Sequence, residues 1–109
     1  MSFQLGVDLG TTFTAAAVAR GGRVEIASLD YRTAAIPSVV WVGADGTVVI
    51  GHPALNRGLS DPSRMAREFK RRLGDTTPLL LGGTPFSADA LTQRLLKSVS
   101  DAVASLEGG

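Results

Sequence analysis

The start of the chain combines two-residue alternation with strong turn signals, and this pattern points to an antiparallel sheet. Residues 3–9 alternate apolar and non-apolar side chains, which predicts a strand. Gly10 and Thr11 form a turn, and residues 12–19, with β-branched side chains and three consecutive alanines, predict a second strand closely covered on both faces. Gly21-Gly22 is a hairpin signal before a third strand at residues 23–29. The opening third is therefore predicted to be an antiparallel β-meander.

A second hairpin is predicted after a loop. We expect the loop at residues 30–37, a strand at 39–42, an Asp-Gly turn at 43–46 and the returning strand at 47–50. The strands of this hairpin are rich in valine, which favours a buried sheet.

Two cap-and-proline signals follow. Pro53 suits the first helical position, which predicts a short helix at residues 54–59. Asp61 as N-cap and Pro62 at the first position predict another helix start, followed by a basic segment at residues 64–73 that Gly74 closes.

The last third predicts a small hairpin and then the clearest helix of the chain. The hairpin covers residues 79–86, with Gly82-Gly83 as its turn, and Ser87 caps the helix. Gly108-Gly109 ends the helix. The apolar side chains at helical spacing, which predict its buried stripe, are Leu91, Leu95, Val99, Ala102, Val103 and Leu106.

Composition limits the classes of function. The chain has 109 residues, 44% of them hydrophobic and 19% charged, which describes one small globular unit. A net charge of +1 gives no electrostatic argument for nucleic acid or an acidic membrane. There is no cysteine, no basic-then-apolar leader and no apolar run of roughly 18 residues. We therefore expect a soluble cytoplasmic protein that binds neither nucleic acid nor membrane.

The first turn carries the chemistry of a phosphate site. Asp8 can orient Mg²⁺ through its waters, Gly10 lets the chain approach a phosphate, and Thr11 and Thr12 can donate from backbone and side chain. An ordinary turn, in which Asp8 accepts local N–H bonds, explains these residues equally well. The turn is not a Walker loop, because no Gly-Lys-Ser/Thr is present and a strand follows.

The basic segment offers a second candidate. It has five cations, and Glu68 is its one anion. A solvated basic helix face is the interpretation that composition favours. The alternative is that one cation points inward to stabilise charge on a transferring phosphoryl group. Spacing does not choose which one; the five are Arg64, Arg67, Lys70, Arg71 and Arg72.

Residues 6–12, Gly-Val-Asp-Leu-Gly-Thr-Thr, resemble the first phosphate-binding motif of the actin-like ATPase superfamily, which includes sugar kinases, actin-like filament proteins and heat-shock protein 70 chaperones. Later segments single out the chaperones. They are Arg32-Thr33 followed by Ile36-Pro37-Ser38-Val39-Val40, Val49-Ile50-Gly51 with Pro53-Ala54, Asp61-Pro62, and Phe69-Lys70-Arg71-Arg72-Leu73-Gly74. From residue 4 to about 75 the chain resembles the heat-shock protein 70 (DnaK-like) family, while the last third matches only as strands plus a helix.

This resemblance implies a ribonuclease-H-like α/β ATPase fold that binds ATP or ADP with Mg²⁺. It implies that Asp8 orients Mg²⁺ through its water shell, that Gly10, Thr11, Thr12 and the backbone of Phe13 hold the β- and γ-phosphates, and that Lys70 is the catalytic lysine. There are three departures from the family pattern. Phe13 replaces a polar residue or tyrosine, the insertion of Ala34-Ala35 lengthens the loop at residues 32–37, and Arg72 interrupts the Lys-Arg-Leu order.

The resemblance also implies a longer protein. The family's ATPase has two lobes with nucleotide between them, so we expect residues 1–38 to be the first β-meander and 39–109 an outer subdomain. We expect the chain alone to lack ATPase activity, to expose apolar sheet surface and to self-associate. The full protein would act on unfolded polypeptide clients with co-chaperones. A sugar kinase and a non-catalytic actin-like scaffold are the alternatives.

Overall fold

A computed structural model describes residues 3–29 and 35–106, and it confirms the opening β-meander. Strands β1 (Gln4–Leu9), β2 (Phe13–Arg20) and β3 (Arg23–Ala27) are antiparallel neighbours in that order. A fourth strand, β4 (Ala35–Pro37), also pairs with β2.

The prediction of a loop through residue 37 is therefore wrong for β4. Strand β3 pairs with residues 16–20 of β2, which leaves residues 13–15 of that edge with unpaired backbone groups. Strand β4 pairs with those three residues, so β3 and β4 lie end to end along one edge. The remainder of the predicted loop, including Arg32 and Thr33, lies outside the described residues.

The two faces of this first sheet differ. One face carries Thr14, Ala16 and Val18 from β2, all buried against the core. The opposite face is open in the described chain, so the prediction that β2 is covered on both faces is wrong here. Its small or apolar side chains come from all three long strands: Gly6, Ala15, Ala17, Ala19, Val24 and Ile26. The expected exposure of apolar sheet surface is confirmed, since Val24 and Ile26 are 71% and 64% exposed.

A second sheet contributes residues to the same apolar cluster as the buried face. It has the order β6-β5-β7 and is antiparallel. Its strands are β5 (Val39–Val42), β6 (Val48–Ile50) and β7 (Met65–Arg67). Helix α1 (His52–Ser60) follows β6 and packs mainly against β5. The predicted second hairpin and short helix are thus confirmed with slightly shifted ends.

The predicted helix start at Asp61 is wrong beyond a single turn. Pro62–Arg64 forms one 3₁₀ turn, after which the chain becomes strand β7 because it pairs with the free edge of β5. Glu68 then has a φ of 57°, in the left-handed region, and a second 3₁₀ turn runs from Phe69 to Arg72. The basic segment is therefore not a solvated α-helical face; Phe69 anchors it in the core with 1% exposure.

The C-terminal part agrees with the predicted hairpin and helix. Strands β8 (Leu79–Leu81) and β9 (Thr84–Phe86) pair, and α2 (Ala88–Leu106) begins after Ser87, whose Oγ accepts the Ala90 N–H at 3.0 Å. Four stripe residues are buried, namely Leu91, Leu95, Val99 and Val103.

Leu106 departs from the predicted stripe. It is 59% exposed, because the helix has passed the end of the core at that point. The predicted stop at Gly108-Gly109 lies outside the described residues.

The molecule is a mixed α/β protein with antiparallel sheets and a C-terminal helix, and one contiguous apolar cluster joins both sheets to α2.

Candidate functional site

The turn between β1 and β2 is closed by backbone and by one distant serine. The Gly10 N–H donates to the Phe13 carbonyl at 2.9 Å. Ser38, which directly follows β4, donates from its Oγ to the Gly10 carbonyl and from its N–H to the Thr12 carbonyl, both at 2.8 Å. Two carbonyls of the turn therefore face Ser38 and are held in place by it.

Thr14 completes this arrangement from inside the core. Its Oγ1 lies 2.8 Å from the Ser38 Oγ, and the exposures of Thr14 and Ser38 are 0% and 3%. Because the Ser38 hydroxyl already gives its proton to Gly10, Thr14 is the donor in this pair. The two buried hydroxyls satisfy each other and fix the turn on the edge of the sheet.

Gly10 is required by the geometry of the turn. A Cβ built on Gly10 would collide with the Phe13 carbonyl oxygen, the same atom that accepts the Gly10 N–H. By contrast, a Cβ on Gly6 in β1 would come no closer than 3.9 Å to a neighbouring atom. The glycine thus allows the chain to close the turn tightly.

The donors of Thr11 and Thr12 are left available. Within residues 3–29 and 35–106, neither their amides nor their hydroxyls donate a hydrogen bond. Backbone N–H groups rarely stay without a partner unless water or a ligand accepts them. Successive free amides in a turn form a concavity suited to an anion.

A small cleft opens beside these donors. It has a volume of about 80 Å³, and its lining comes from the turn, from α1 and from the end of β7. Its lining residues on the turn side are Thr11, Thr12, Phe13, Pro37 and Ser38. The other lining residues are Val39, Leu55, Arg67 and Glu68.

The five cations of the basic segment differ in whether they form ion pairs. Arg64 pairs with Asp61 at 3.3 Å, and Arg72 pairs with Asp75 at 3.8 Å. A hydrogen bond from the Thr77 N–H, and then the Arg72 guanidinium, hold the pKa of Asp75 below its ordinary value. In the described part of the chain, Arg67, Lys70 and Arg71 have no ion-pair partner.

Asp8 and Lys70 lie outside the cleft. Asp8 stands opposite Ala15 on the open face of the first sheet and is exposed. Lys70 is exposed on the 3₁₀ turn that follows Glu68, and neither side chain lines the cleft. The structure thus brings Thr11, Thr12 and Phe13 together with Arg67, and leaves Asp8 and Lys70 exposed outside the cleft.

The sequence pattern did not identify Thr14 or Ser38 as site residues, and it offered Arg67 only as one of five candidate cations. A signal existed for Thr14, since it is a hydroxyl at a buried position of an alternating strand. Ser38 could be suspected from its place after a proline, but its contact with Gly10 spans 28 residues and depends on the pairing of β4.

The arrangement fits a polyphosphate with Mg²⁺. Among the described residues no group of three or more His, Cys, Asp or Glu side chains could enclose a metal ion. Mg²⁺ does not need such an enclosure, since it keeps several waters and is held by one or two carboxylates plus substrate phosphates. One exposed carboxylate near a turn with free amides meets that requirement.

Comparison with known proteins places these features in one family. The sequence profile described as Hsp70 protein matches residues 4–79. The chain is 36% identical over 103 residues to "Chaperone protein DnaK" of Elusimicrobium minutum and 32% identical over 103 residues to that of Endomicrobium trichonymphae, each match covering 91% of this chain. A DnaK of Halobacterium salinarum is 32% identical over 96 residues, or 87% of the chain. The chain spans only 15% to 17% of the length of these relatives.

Proposed function

The chain belongs to the Hsp70 family, and from that membership we propose that it supplies the phosphate-binding part of an ATP-hydrolysing chaperone. The observation that carries the proposal is the turn itself. Ser38 holds two of its carbonyls, while the amides of Thr11 and Thr12 remain available in the described chain. Donors fixed before the ligand arrives bind an anion without further ordering of the protein.

The phosphate contacts follow from this turn. The amides and hydroxyls of Thr11 and Thr12, with the backbone of Phe13, would donate to the β- and γ-phosphates of ATP or ADP. Gly10 permits the close approach, since a Cβ there has no room.

Asp8 and Lys70 would act on the hydrolysis step. Mg²⁺, when bound, neutralises charge on the phosphate oxygens. Asp8 would hold water molecules of its shell. Lys70 would orient the attacking water and stabilise negative charge as it develops on the phosphoryl group. Both residues are exposed, as contact with a ligand requires.

The cleft alone is too small to enclose a nucleotide. Complete small-molecule pockets have volumes of about 300–1,000 Å³, whereas this cleft has about 80 Å³. We therefore propose that the rest of a two-lobed, ribonuclease-H-like ATPase closes over the nucleotide. The 109-residue chain alone would not turn over ATP. ATP hydrolysis by the purified chain that disappears in Lys70→Ala would contradict this.

The proposed division of the chain falls at residue 38. Residues 1–38 would form the first part of the nucleotide-binding lobe and 39–109 an outer subdomain. The pairing pattern supports it, because β1 to β4 pair among themselves while the later strands form separate sheets.

We propose that the open face of the first sheet makes the isolated chain self-associate. Val24 and Ile26 on that face are 71% and 64% exposed. Apolar sheet surface of this kind usually marks an interface. Sedimentation should show association that Ile26→Lys reduces, whereas Leu59→Lys, at an 86% exposed position on α1, should leave it unchanged. A monomer at high concentration would refute this.

In the cell, the full-length protein would act in the cytoplasm on unfolded polypeptides with co-chaperones. It would need neither nucleic acid nor a membrane. No helix in the described ranges is long and apolar enough to cross a membrane.

The decisive experiment uses the full-length protein and two matched variants. Single-turnover ATP hydrolysis should fall about 100-fold or more in Lys70→Ala, while nucleotide binding persists. Arg71→Ala removes the same charge from the neighbouring exposed position and should leave the rate unchanged. Wild-type protein that never hydrolyses ATP, polymerises with nucleotide, or transfers phosphate to a sugar would overturn the proposal.

A further inference from the structure

We propose that Arg67 is a second phosphate-binding cation, which lines the same cleft as the turn. This inference rests on the proposed nucleotide-binding function and names a residue that it does not use. The carrying observation is the lining of the cleft, to which Thr11, Thr12 and Arg67 all contribute.

The backbone fixes where Arg67 stands. Arg67 is the last residue of β7 and pairs directly with Val39 on β5. Val39 follows Ser38, which holds the turn through its Oγ and N–H. The position of Arg67 is thus linked to the phosphate turn through one residue pair and two hydrogen bonds.

The charge of Arg67 is available. Its neighbours Arg64 and Arg72 are engaged with Asp61 and Asp75, but no ion pair joins Arg67 to any described residue. It is exposed at the cleft, so a phosphate could bind there without first breaking an ion pair. A guanidinium presents parallel N–H donors that match two phosphate oxygens.

Arg67 and Lys70 have different surroundings. Between them, Glu68 adopts left-handed backbone geometry and Phe69 is buried in the core. The chain therefore turns after Arg67, and Lys70 does not line the cleft. We assign Arg67 to binding of the phosphate group that enters the cleft, a role separate from the one proposed for Lys70.

Glu68 supplies an internal check. Its carboxylate belongs to the same cleft lining, so it repels a phosphate that Arg67 attracts. Neutralising the two residues should therefore change phosphate affinity in opposite directions.

The test measures binding of ATP, ADP and AMP to full-length protein by calorimetry, without Mg²⁺ and with it. Arg67→Gln should weaken ATP and ADP binding about tenfold or more, with a smaller effect on AMP and a weaker dependence on salt. Arg67→Lys should restore part of the affinity. Glu68→Gln should tighten binding, and Arg71→Gln, a matched exposed position, should equal wild type.

The outcomes separate this inference from the function on which it rests. Wild-type protein that binds no nucleotide refutes the proposed function. Tight wild-type binding with equal affinity in Arg67→Gln refutes the role of Arg67 alone. A loss in Arg67→Gln that is equal for ATP, ADP and AMP, with lower thermal stability, would show a structural role and also overturn the inference. Unchanged affinity in Glu68→Gln would place the phosphate outside this cleft.

Discussion

Replacing Ser38 by alanine should destabilise the protein far more than the loss of one hydroxyl suggests. The variant removes the donor to the Gly10 carbonyl and the acceptor of the Thr14 hydroxyl. Thr14 is fully buried, so its unpaired hydroxyl should cost about 1–3 kcal/mol, and the partly buried carbonyl adds about 1 kcal/mol. We expect the free energy of unfolding to fall by about 2–4 kcal/mol.

Urea unfolding followed by the fluorescence of Trp41 measures this change. Trp41 is a suitable reporter because it is half-buried and its Nε1 donates to the Asp61 carbonyl at 3.1 Å. The midpoint should shift while the slope stays constant, which indicates a change in stability without a change in exposed area. Ser63→Ala is the matched control. Its Oγ also donates a hydrogen bond, at 2.7 Å to Asp61, but it is exposed and should change stability by less than about 0.5 kcal/mol.

A double-mutant cycle identifies the partner. Thr14→Val keeps the shape of the side chain but removes the hydroxyl that Ser38→Ala leaves unpaired. The double variant should therefore lose less than the sum of the single variants, with a coupling of about 1–2 kcal/mol. Additive losses, or a Ser38→Ala variant as stable as Ser63→Ala, would refute the reasoning that these hydroxyls hold the turn.

Three further changes test the backbone and the core. Gly10→Ala should lower the free energy of unfolding by about 1–3 kcal/mol and weaken nucleotide binding, because its Cβ meets the carbonyl that closes the turn. Gly6→Ala should be nearly neutral. Equal urea midpoints for the two variants would contradict this. Glu68→Gly should be more stable than Glu68→Ala by about 1 kcal/mol, since only glycine adopts a φ of 57° without strain, and thermal unfolding that ranks them the other way would exclude such strain. In urea unfolding, Leu95→Ala should lower the free energy of unfolding by about 2–5 kcal/mol and Leu96→Ala by less than about 1 kcal/mol. The reason is that Leu95 is fully buried and Leu96 is 38% exposed. Similar losses would mean that α2 is rotated about its axis relative to the core.

Local patterns predicted those parts of the fold that local contacts stabilise. The first three strands follow from alternation and glycine turns, and the start of α2 follows from Ser87 and the apolar stripe. Strand β4 could not be found in this way. It exists because β3 is too short to cover the edge of β2, which is a property of two other elements.

The basic segment shows the same limit more clearly. Its charges predicted a solvated helix, since a sequence gives the number of cations but not their partners. In the structure β7 pairs with β5, Phe69 enters the core, and two of the five cations are neutralised by nearby aspartates. Only tertiary pairing separates Arg67, which lines the cleft, from Lys70, which does not.

The residues of the phosphate turn could be predicted from the sequence, whereas the residues that hold the turn in place could not, for a physical reason. Gly10, Thr11 and Thr12 are consecutive, so their chemistry is visible in a short motif. The residues that hold them, Thr14 and Ser38, are joined by a hydrogen bond across 24 positions.

This difference also predicts how the turn and Arg67 should respond to substitution. The turn is fixed by buried hydroxyls, so its donors keep their geometry whether or not a phosphate is present. The Arg67 side chain is exposed to solvent and must lose conformational freedom when it binds a phosphate. Changes at Ser38 should therefore lower stability and affinity together, whereas changes at Arg67 should lower affinity alone. That contrast distinguishes a residue that shapes the site from one that contacts its ligand.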